Sequence, residues 1–168
     1  MTLSEILAGK TVARDEYKSK FSLPRRSKIL IAVHFTNTDI TQNVIEWLKI
    51  LPANFIIFWE NIDKLESKNI SYAESIEDFD MQWIDAIMCN CTDVALESVM
   101  KKWVVPIVND KNYLGKILQE FHPGRAEGNA YIYENNSHWS AYYALVRYLE
   151  NHKFPYDNRN LVKNVAWL

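Results

Sequence analysis

Polar and titratable residues follow three apolar stretches of this 168-residue chain. Side chains of these types can contact a phosphate, and a histidine among them can also transfer a proton. The residues predicted to line a ligand pocket are His34, Thr36, Asn90, Thr92, Asp93, Asn109 and Lys111. Asp80 and Asp85 flank Trp83 without the arrangement that paired-carboxylate catalysis needs, and no catalytic residue is predicted.

Each candidate also has a simpler interpretation. A lone histidine at the end of a strand, such as His34, is more often a hydrogen-bonded surface residue than a functional one. Thr92 and Asp93 precede a helical pattern, where such side chains ordinarily cap the first turn, and we favour that interpretation. The pocket is therefore a hypothesis that depends on where the fold places these residues.

Composition argues against several function classes. The formal net charge is −2 and the pI is about 6.1, so nothing suggests a nucleic-acid partner. The two cysteines, Cys89 and Cys91, have no second pair with which to complete a zinc site, and they are better explained as small apolar core residues. The glycine-rich phosphate loops G-x-G-x-x-G and G-x-x-x-x-G-K-[ST] are absent. No metal and no cofactor is predicted.

The chain carries no sequence signal for a membrane. Residues 1–20 lack the continuous apolar run of a signal peptide, and no stretch approaches the roughly 20 apolar residues of a membrane span. We therefore expect a cytoplasmic protein with reduced thiols.

The hydrophobic pattern alternates between buried strands and amphipathic helices. Helices are predicted over residues 3–22, 40–50, 76–82, 92–102, 111–121, 137–152 and 158–167. Strands are predicted over residues 28–35, 54–60, 69–74, 85–89, 103–108 and 129–134. The helix over 137–152 is expected to pack on the sheet through Trp139, Tyr142, Tyr143, Val146 and Leu149. Pro106 is unexpected inside a strand, because proline removes a ladder donor and prefers an edge or a bulge.

This alternation predicts an α/β fold: a doubly wound parallel sheet of about six strands with helices on both faces, Rossmann-like. We expect residues 1–168 to form a single domain in which residues 1–24 are a helical lead-in. Ligands of such sheets bind beyond the carboxyl ends of the strands, at the point where the strand order reverses. The residues predicted to line the ligand pocket all belong to that edge.

Four segments, in one order along the chain, resemble the C-terminal domain of bacterial glycogen and starch synthases. "LAGKTVARDEYKSKFSLP" (7–24) is similar to the family's L-A-G-K-x-x-x-K-x-x-L-x-x-x-x-G-L-P, and "VMKKWVVPIV" (99–108) is similar to A-M-R-Y-G-T-x-P-I-V. "GRAEGNAYIYENNSHWSAYYALVRYLENHKFP" (124–155) and "RNLVKNVAW" (159–167) resemble later family segments. The resemblance implies a single half of a GT-B glycosyltransferase, the half that holds the ADP-glucose donor.

The chain departs from the family at three donor-binding elements. His34 stands where the family has the Arg of G-R-L-x-x-Q-K-G, and Thr38 or Asp39 stands near its Lys. "NCTD" (90–93) replaces a longer loop whose Glu holds the donor, and "NDKNYLG" (109–115) replaces T-G-G-L. Because a leaving diphosphate needs positive charge, these losses predict that the chain alone does not transfer glucose.

The resemblance leaves three functions open. The first is a degenerate glycosyltransferase-like domain that binds a nucleotide, a glycan or a protein partner. The second is the donor-binding half of a split nucleotide-sugar glucosyltransferase, a hexosyltransferase completed by a partner chain. The third is a sensor that binds a nucleotide or a nucleotide sugar of the ADP-glucose type without turnover. Self-association is expected as well, since the face that would line the cleft of a two-domain enzyme is exposed in a lone domain.

Overall fold

The computed structural model describes residues 2–24, 29–35, 38–58, 64–76, 80–89, 96–111 and 117–166. Six strands form one parallel sheet: β1 (Leu30–His34), β2 (Asn54–Phe58), β3 (Ile70–Ala73), β4 (Ala86–Cys89), β5 (Val105–Asn109) and β6 (Tyr131–Tyr133). Their order is β3-β2-β1-β4-β5-β6, and each neighbouring pair is parallel. The predicted Rossmann-like fold class is confirmed.

The four central strands are covered on both faces. Successive side chains of a strand point to opposite faces, and every residue of β2, β4 and β5 is buried. β1 follows the same pattern up to His34, which is half-buried. Continuous apolar runs such as these are typical of parallel strands that lie between two layers of helices.

In the described part of the chain, five helices accompany the sheet: α1 (Leu3–Lys20), α2 (Thr38–Leu48), α3 (Leu96–Met100), α4 (His138–His152) and α5 (Pro155–Val165). Short 3-10 turns cover Met81–Trp83 and Pro123–Arg125. α1 begins with a capping box, in which the Thr2 hydroxyl accepts from the Glu5 amide and the Glu5 carboxylate accepts from the Thr2 amide. α1 packs on the 3-10 turn at Met81–Trp83, while α4 packs on β6 and α2.

Pro106 lies in an interior strand, and the pairing of β5 explains why it is tolerated. The Val105 amide donates to the Asp85 carbonyl on the β4 side, so the next residue faces the β6 side. Pairing with β6 begins only at Ile107, opposite Tyr131. The donor that Pro106 lacks therefore points to a level at which β6 has not yet begun.

The helix predicted over residues 111–121 is wrong for its described part. Residues 117–121 belong to no helix, although residues 112–116 lie outside the described part. Glu120 instead forms a bridge with Ala130, and the Gln119 amide donates to Asn129 Oδ1 at 2.8 Å. These pairings hold the segment extended, because they satisfy backbone groups that a helix would have used.

The buried face of α4 also differs from the prediction. Trp139 is 64% exposed and Tyr143 is 62% exposed. The residues that pack inward are Ala141, Ala144, Leu145, Tyr148, Leu149 and Asn151. Trp139 stacks instead on Trp47 of α2, with ring centroids 4.4 Å apart. Ala141 and Ala144 occupy part of the inward face of α4, while the rings of Trp139 and Tyr143 turn outward.

Candidate functional site

The carboxyl ends of β1 and β4 lie side by side at the centre of the sheet, where the strand order reverses. His34, the last residue of β1, is in register with Cys89, the last residue of β4. Cys89 is in turn in register with Val108 of β5. The described candidates His34, Asn109 and Lys111 therefore lie at one edge of the sheet, and this edge is the place where a doubly wound sheet binds its ligand.

Asn109 and Lys111 belong to a tight turn at the end of β5. Asn109 Oδ1 accepts from the Lys111 amide at 3.0 Å, which is an Asx turn, and the Asn109 side chain is buried. Lys111 is exposed. Asp110 continues the network, since its amide donates to the Tyr133 carbonyl at 2.8 Å and its carboxylate accepts from the Asn135 amide at 2.9 Å. Asn109 thus shapes the turn, and Lys111 is the side chain free to meet a ligand.

Tyr133 connects the end of β6 to the end of β4. Its hydroxyl donates to the Cys89 carbonyl at 2.9 Å, and the residue is 2% exposed. The side chain therefore reaches across β5, which lies between β6 and β4. The sequence placed Tyr133 in a strand but contained no signal for this bond.

Several predicted site residues lie outside the described part of the chain. They are Thr36, Asn90, Thr92 and Asp93. Of the described candidates, the sheet places His34, Asn109 and Lys111 at one edge. Within three residues of the strand ends there, and among described residues, Lys111 is the one lysine or arginine.

A second polar cluster lies at the opposite, amino edge of the sheet, and sequence reasoning missed it. Lys10 Nζ donates to the Ile84 carbonyl at 2.7 Å and to the Trp103 carbonyl at 2.9 Å. Arg14, one helical turn further along α1, pairs with Asp85 at 2.8 Å. The available signal was the spacing of two cations four residues apart, together with a carboxylate directly before a buried strand.

Burial changes the protonation chemistry of this cluster. Desolvation lowers the pKa of Lys10 to about 8, although the Asp85 carboxylate opposes the shift and the Arg14 guanidinium adds to it. Desolvation also lowers the pKa of His152 and raises that of Tyr148 well above its ordinary value. The cluster thus carries positive charge on Lys10 and Arg14 beside one carboxylate.

Comparison with known proteins gives a structural neighbour but no family. No protein-family model matches the chain, and no curated protein matches it in sequence. The structure is similar to the catalytic domain of starch synthase IV from Arabidopsis thaliana, solved bound to ADP and acarbose, with a TM-score of 0.73 over 96% of this chain. The chain has a glycosyltransferase-like fold.

The likeness to the starch synthase is a likeness of fold. Sequence identity to the starch synthase is 12%, so the comparison concerns the fold. The chain spans 39% of the length of that neighbour. Within the described residues, no helix is long and apolar enough to cross a membrane.

Proposed function

We propose that this chain is a glycosyltransferase-like binding domain that does not transfer sugar by itself, and that it binds a nucleotide or a nucleotide sugar beyond the ends of β1, β4 and β5. The observation that carries the proposal is the coincidence of the strand-order reversal between β1 and β4 with a starch-synthase-like fold. The neighbour of that fold was solved with ADP, so a nucleotide of this type is the first ligand to test.

The described edge fits an anionic ligand better than it fits catalysis of group transfer. His34 is the last residue of β1 and Lys111 follows the end of β5, and these two strands are separated by two strand spacings, or about 10 Å. A ligand that spans the edge could contact both. A transferase must in addition stabilise the negative charge that develops on a departing diphosphate, which usually takes several preorganised cations or donors. Lys111 supplies only one such cation at the described edge.

The coverage of the neighbour supports a second candidate function. Since the starch synthase is more than twice as long as the matched region, this chain could supply the donor-binding half of a split hexosyltransferase. A partner chain would then supply the acceptor site across the cleft.

Self-association through the same edge is a further form of the proposal, and light scattering over a wide concentration range tests it.

Calorimetric titration with ADP, ADP-glucose and UDP-glucose tests the proposal. We expect binding of ADP or ADP-glucose, and a loss of about tenfold in affinity for Lys111→Ala, equivalent to the removal of one charge-assisted contact. Lys102→Ala is the matched control, because Lys102 is an exposed lysine near the opposite edge. Absence of binding by the wild-type chain at millimolar nucleotide would overturn both nucleotide-based functions and leave a protein or glycan partner.

An assay for free ADP separates the two candidates. The chain alone should release no ADP from ADP-glucose in the presence of an α-glucan acceptor. Release of ADP by the purified chain alone would contradict the proposed inactivity. Release that needs an added partner chain would establish the split enzyme.

A further inference from the structure

A small cavity lies at the amino edge of the sheet, on the side opposite to the proposed nucleotide site. Its volume is about 220 Å³, below the range of drug-sized pockets and sufficient for a compact anion with attached water. α1 forms one wall, α4 and α5 form the other, and the start of β4 forms the floor. The lining residues that matter are Lys10, Arg14, Asp85, Tyr148, His152 and Asn158.

The charges that surround the cavity do not balance. Lys10 is 5% exposed and Arg14 is 7% exposed. Asp85 is the single carboxylate on the lining, and its own contacts are with Arg14 and with the Leu30 amide at 2.8 Å. Burying a charge is costly, and desolvation lowers the pKa of Lys10 even though the Asp85 carboxylate opposes the shift. An anion in the cavity would relieve that cost.

Hydrogen-bonding groups in the wall remain available. The Lys10 ammonium has three N–H groups, and its two bonds to carbonyls leave the third without a partner among the described residues. The Oδ1 atom of Asn158 is buried and also has no hydrogen-bond partner among the described residues. Rotation of the Asn158 carboxamide exchanges the positions of Oδ1 and Nδ2 and so places a donor where the oxygen lies. The hydrogen-bond network decides which of the two orientations is adopted. Tyr148 stays protonated because burial raises its pKa, so it can donate.

We propose that this cavity binds a small oxyanion of phosphate or sulfate size, held by Lys10 and Asn158 with Tyr148 and His152 beside it. The bound anion connects α1 to α5 across the cavity and supplies the negative charge that the cluster lacks. The ligand class is an inorganic oxyanion or the phosphate group of a small ester. The site shares no residue with the proposed nucleotide edge, so a result that disproves one of the two sites does not affect the other.

NMR titration of the histidine side chains in the wild-type chain tests the site without any substitution. The chain has four histidines, so His152→Gln identifies the His152 signal, and the other three serve as internal controls. In phosphate or sulfate, the pKa of His152 should rise relative to chloride at equal ionic strength, since a nearby anion favours the imidazolium. A His152 titration curve that is the same in chloride, sulfate and phosphate would overturn the proposal.

Two variants then examine the contacts. Asn158→Leu should weaken phosphate binding by about tenfold or more, because it removes a donor and fills part of the cavity. Lys101→Met is the matched control, an exposed lysine that does not line this cavity and should leave binding unchanged. Equal phosphate affinity for Asn158→Leu and wild type, with both folded, would also overturn the site. Glycerol phosphate distinguishes the sources: binding equal to that of phosphate indicates an ester ligand, and weaker binding indicates the free ion.

ADP provides the link to the nucleotide proposal. If ADP shifts the His34 signal and leaves His152 unchanged, both sites stand as described. If ADP shifts His152 alone, the nucleotide edge is wrong and the amino-edge cavity is the anion site of this chain.

Discussion

Arg14 of α1 donates from Nη2 to Asp85 Oδ1 at 2.8 Å, and the second oxygen of Asp85 accepts from the Leu30 amide at 2.8 Å. One carboxylate therefore joins the first helix to the start of β1, from a position directly before β4. Lys10 adds two bonds to the carbonyls of Ile84 and Trp103. These contacts join α1 to the amino edge of the sheet through polar bonds.

Replacement of Asp85 by alanine should destabilise the protein by about 3–5 kcal/mol, because it removes the carboxylate that pairs with the buried Arg14 guanidinium and accepts from the Leu30 amide. The side chains of the pair are 9% and 10% exposed. Urea unfolding monitored by tryptophan fluorescence measures the change. Glu46→Gln is the control, since Glu46 pairs with Lys49 on the surface and should cost at most about 1 kcal/mol.

The double variant Arg14→Met/Asp85→Asn should recover part of that loss, because it removes both buried charges and keeps an oxygen for the Leu30 amide. A double variant less stable than Asp85→Ala would contradict this interpretation of the cluster. So would equal losses for Asp85→Ala and Glu46→Gln.

Lys10 should make the stability of the domain depend on alkaline pH. Its pKa is about 8 in the folded chain and 10.5 as the ordinary value, so the unfolded chain binds more protons between these limits. Stability therefore rises with pH across this window, by up to about 3 kcal/mol for the full shift. The tyrosines whose pKa burial raises act in the opposite direction above pH 10.

The comparison should accordingly use pH 7.5 and pH 9.5, with wild type beside Lys10→Met. The free energy of unfolding of wild type should increase relative to that of Lys10→Met over this interval. A difference between the two proteins that stays constant with pH would show that Lys10 keeps its ordinary pKa.

The Tyr133 hydroxyl should contribute about 1–3 kcal/mol to stability, because its loss leaves a buried carbonyl without that donor. Tyr133→Phe keeps the ring and removes the hydroxyl together with its bond to Cys89. Tyr143→Phe is the control, since Tyr143 is 62% exposed and its hydroxyl should contribute almost nothing. Thermal unfolding of both variants decides the point, and equal melting temperatures would mean that the bond to Cys89 is energetically unimportant.

Gly128 should tolerate no side chain. Its φ of +91° suits glycine, and a Cβ there would collide with the Glu120 carbonyl oxygen and come within 2.7 Å of Phe121 Cα. Gly128→Ala should therefore destabilise by more than about 1 kcal/mol. Gly9→Ala should instead stabilise by about 0.5–1 kcal/mol, since Gly9 lies inside α1 with nothing within 4 Å of the new Cβ. Equal urea midpoints for Gly128→Ala and Gly9→Ala would contradict this prediction.

The sheet was predictable from sequence because each strand is an uninterrupted apolar run between helical patterns. The failures have physical reasons. Residues 117–121 have helical spacing, but pairing with residues 129–130 holds their backbone extended. The face of α4 was misjudged because hydrophobicity favours Trp139, whereas close packing on the sheet favours small residues such as Ala141 and Ala144.

The candidate sites show a similar division. The edge that carries His34, Asn109 and Lys111 follows from strand polarity, so the sequence could locate it. The bond from Tyr133 to Cys89 and the cluster of Lys10, Arg14 and Asp85 join residues far apart in the chain. Their partners depend on strand order and on how α1 docks, which local spacing does not encode.

Amide NMR shift mapping during titration with ADP tests the proposed function most directly. We predict shifts concentrated at the carboxyl edge, including the amides of His34, Cys89 and Asn109, with no change at Leu30, Asp85 and Val105 on the amino edge. Absence of shifts at millimolar ADP, or shifts confined to the amino edge, would contradict the proposal that this glycosyltransferase-like fold binds a nucleotide where its strand order reverses.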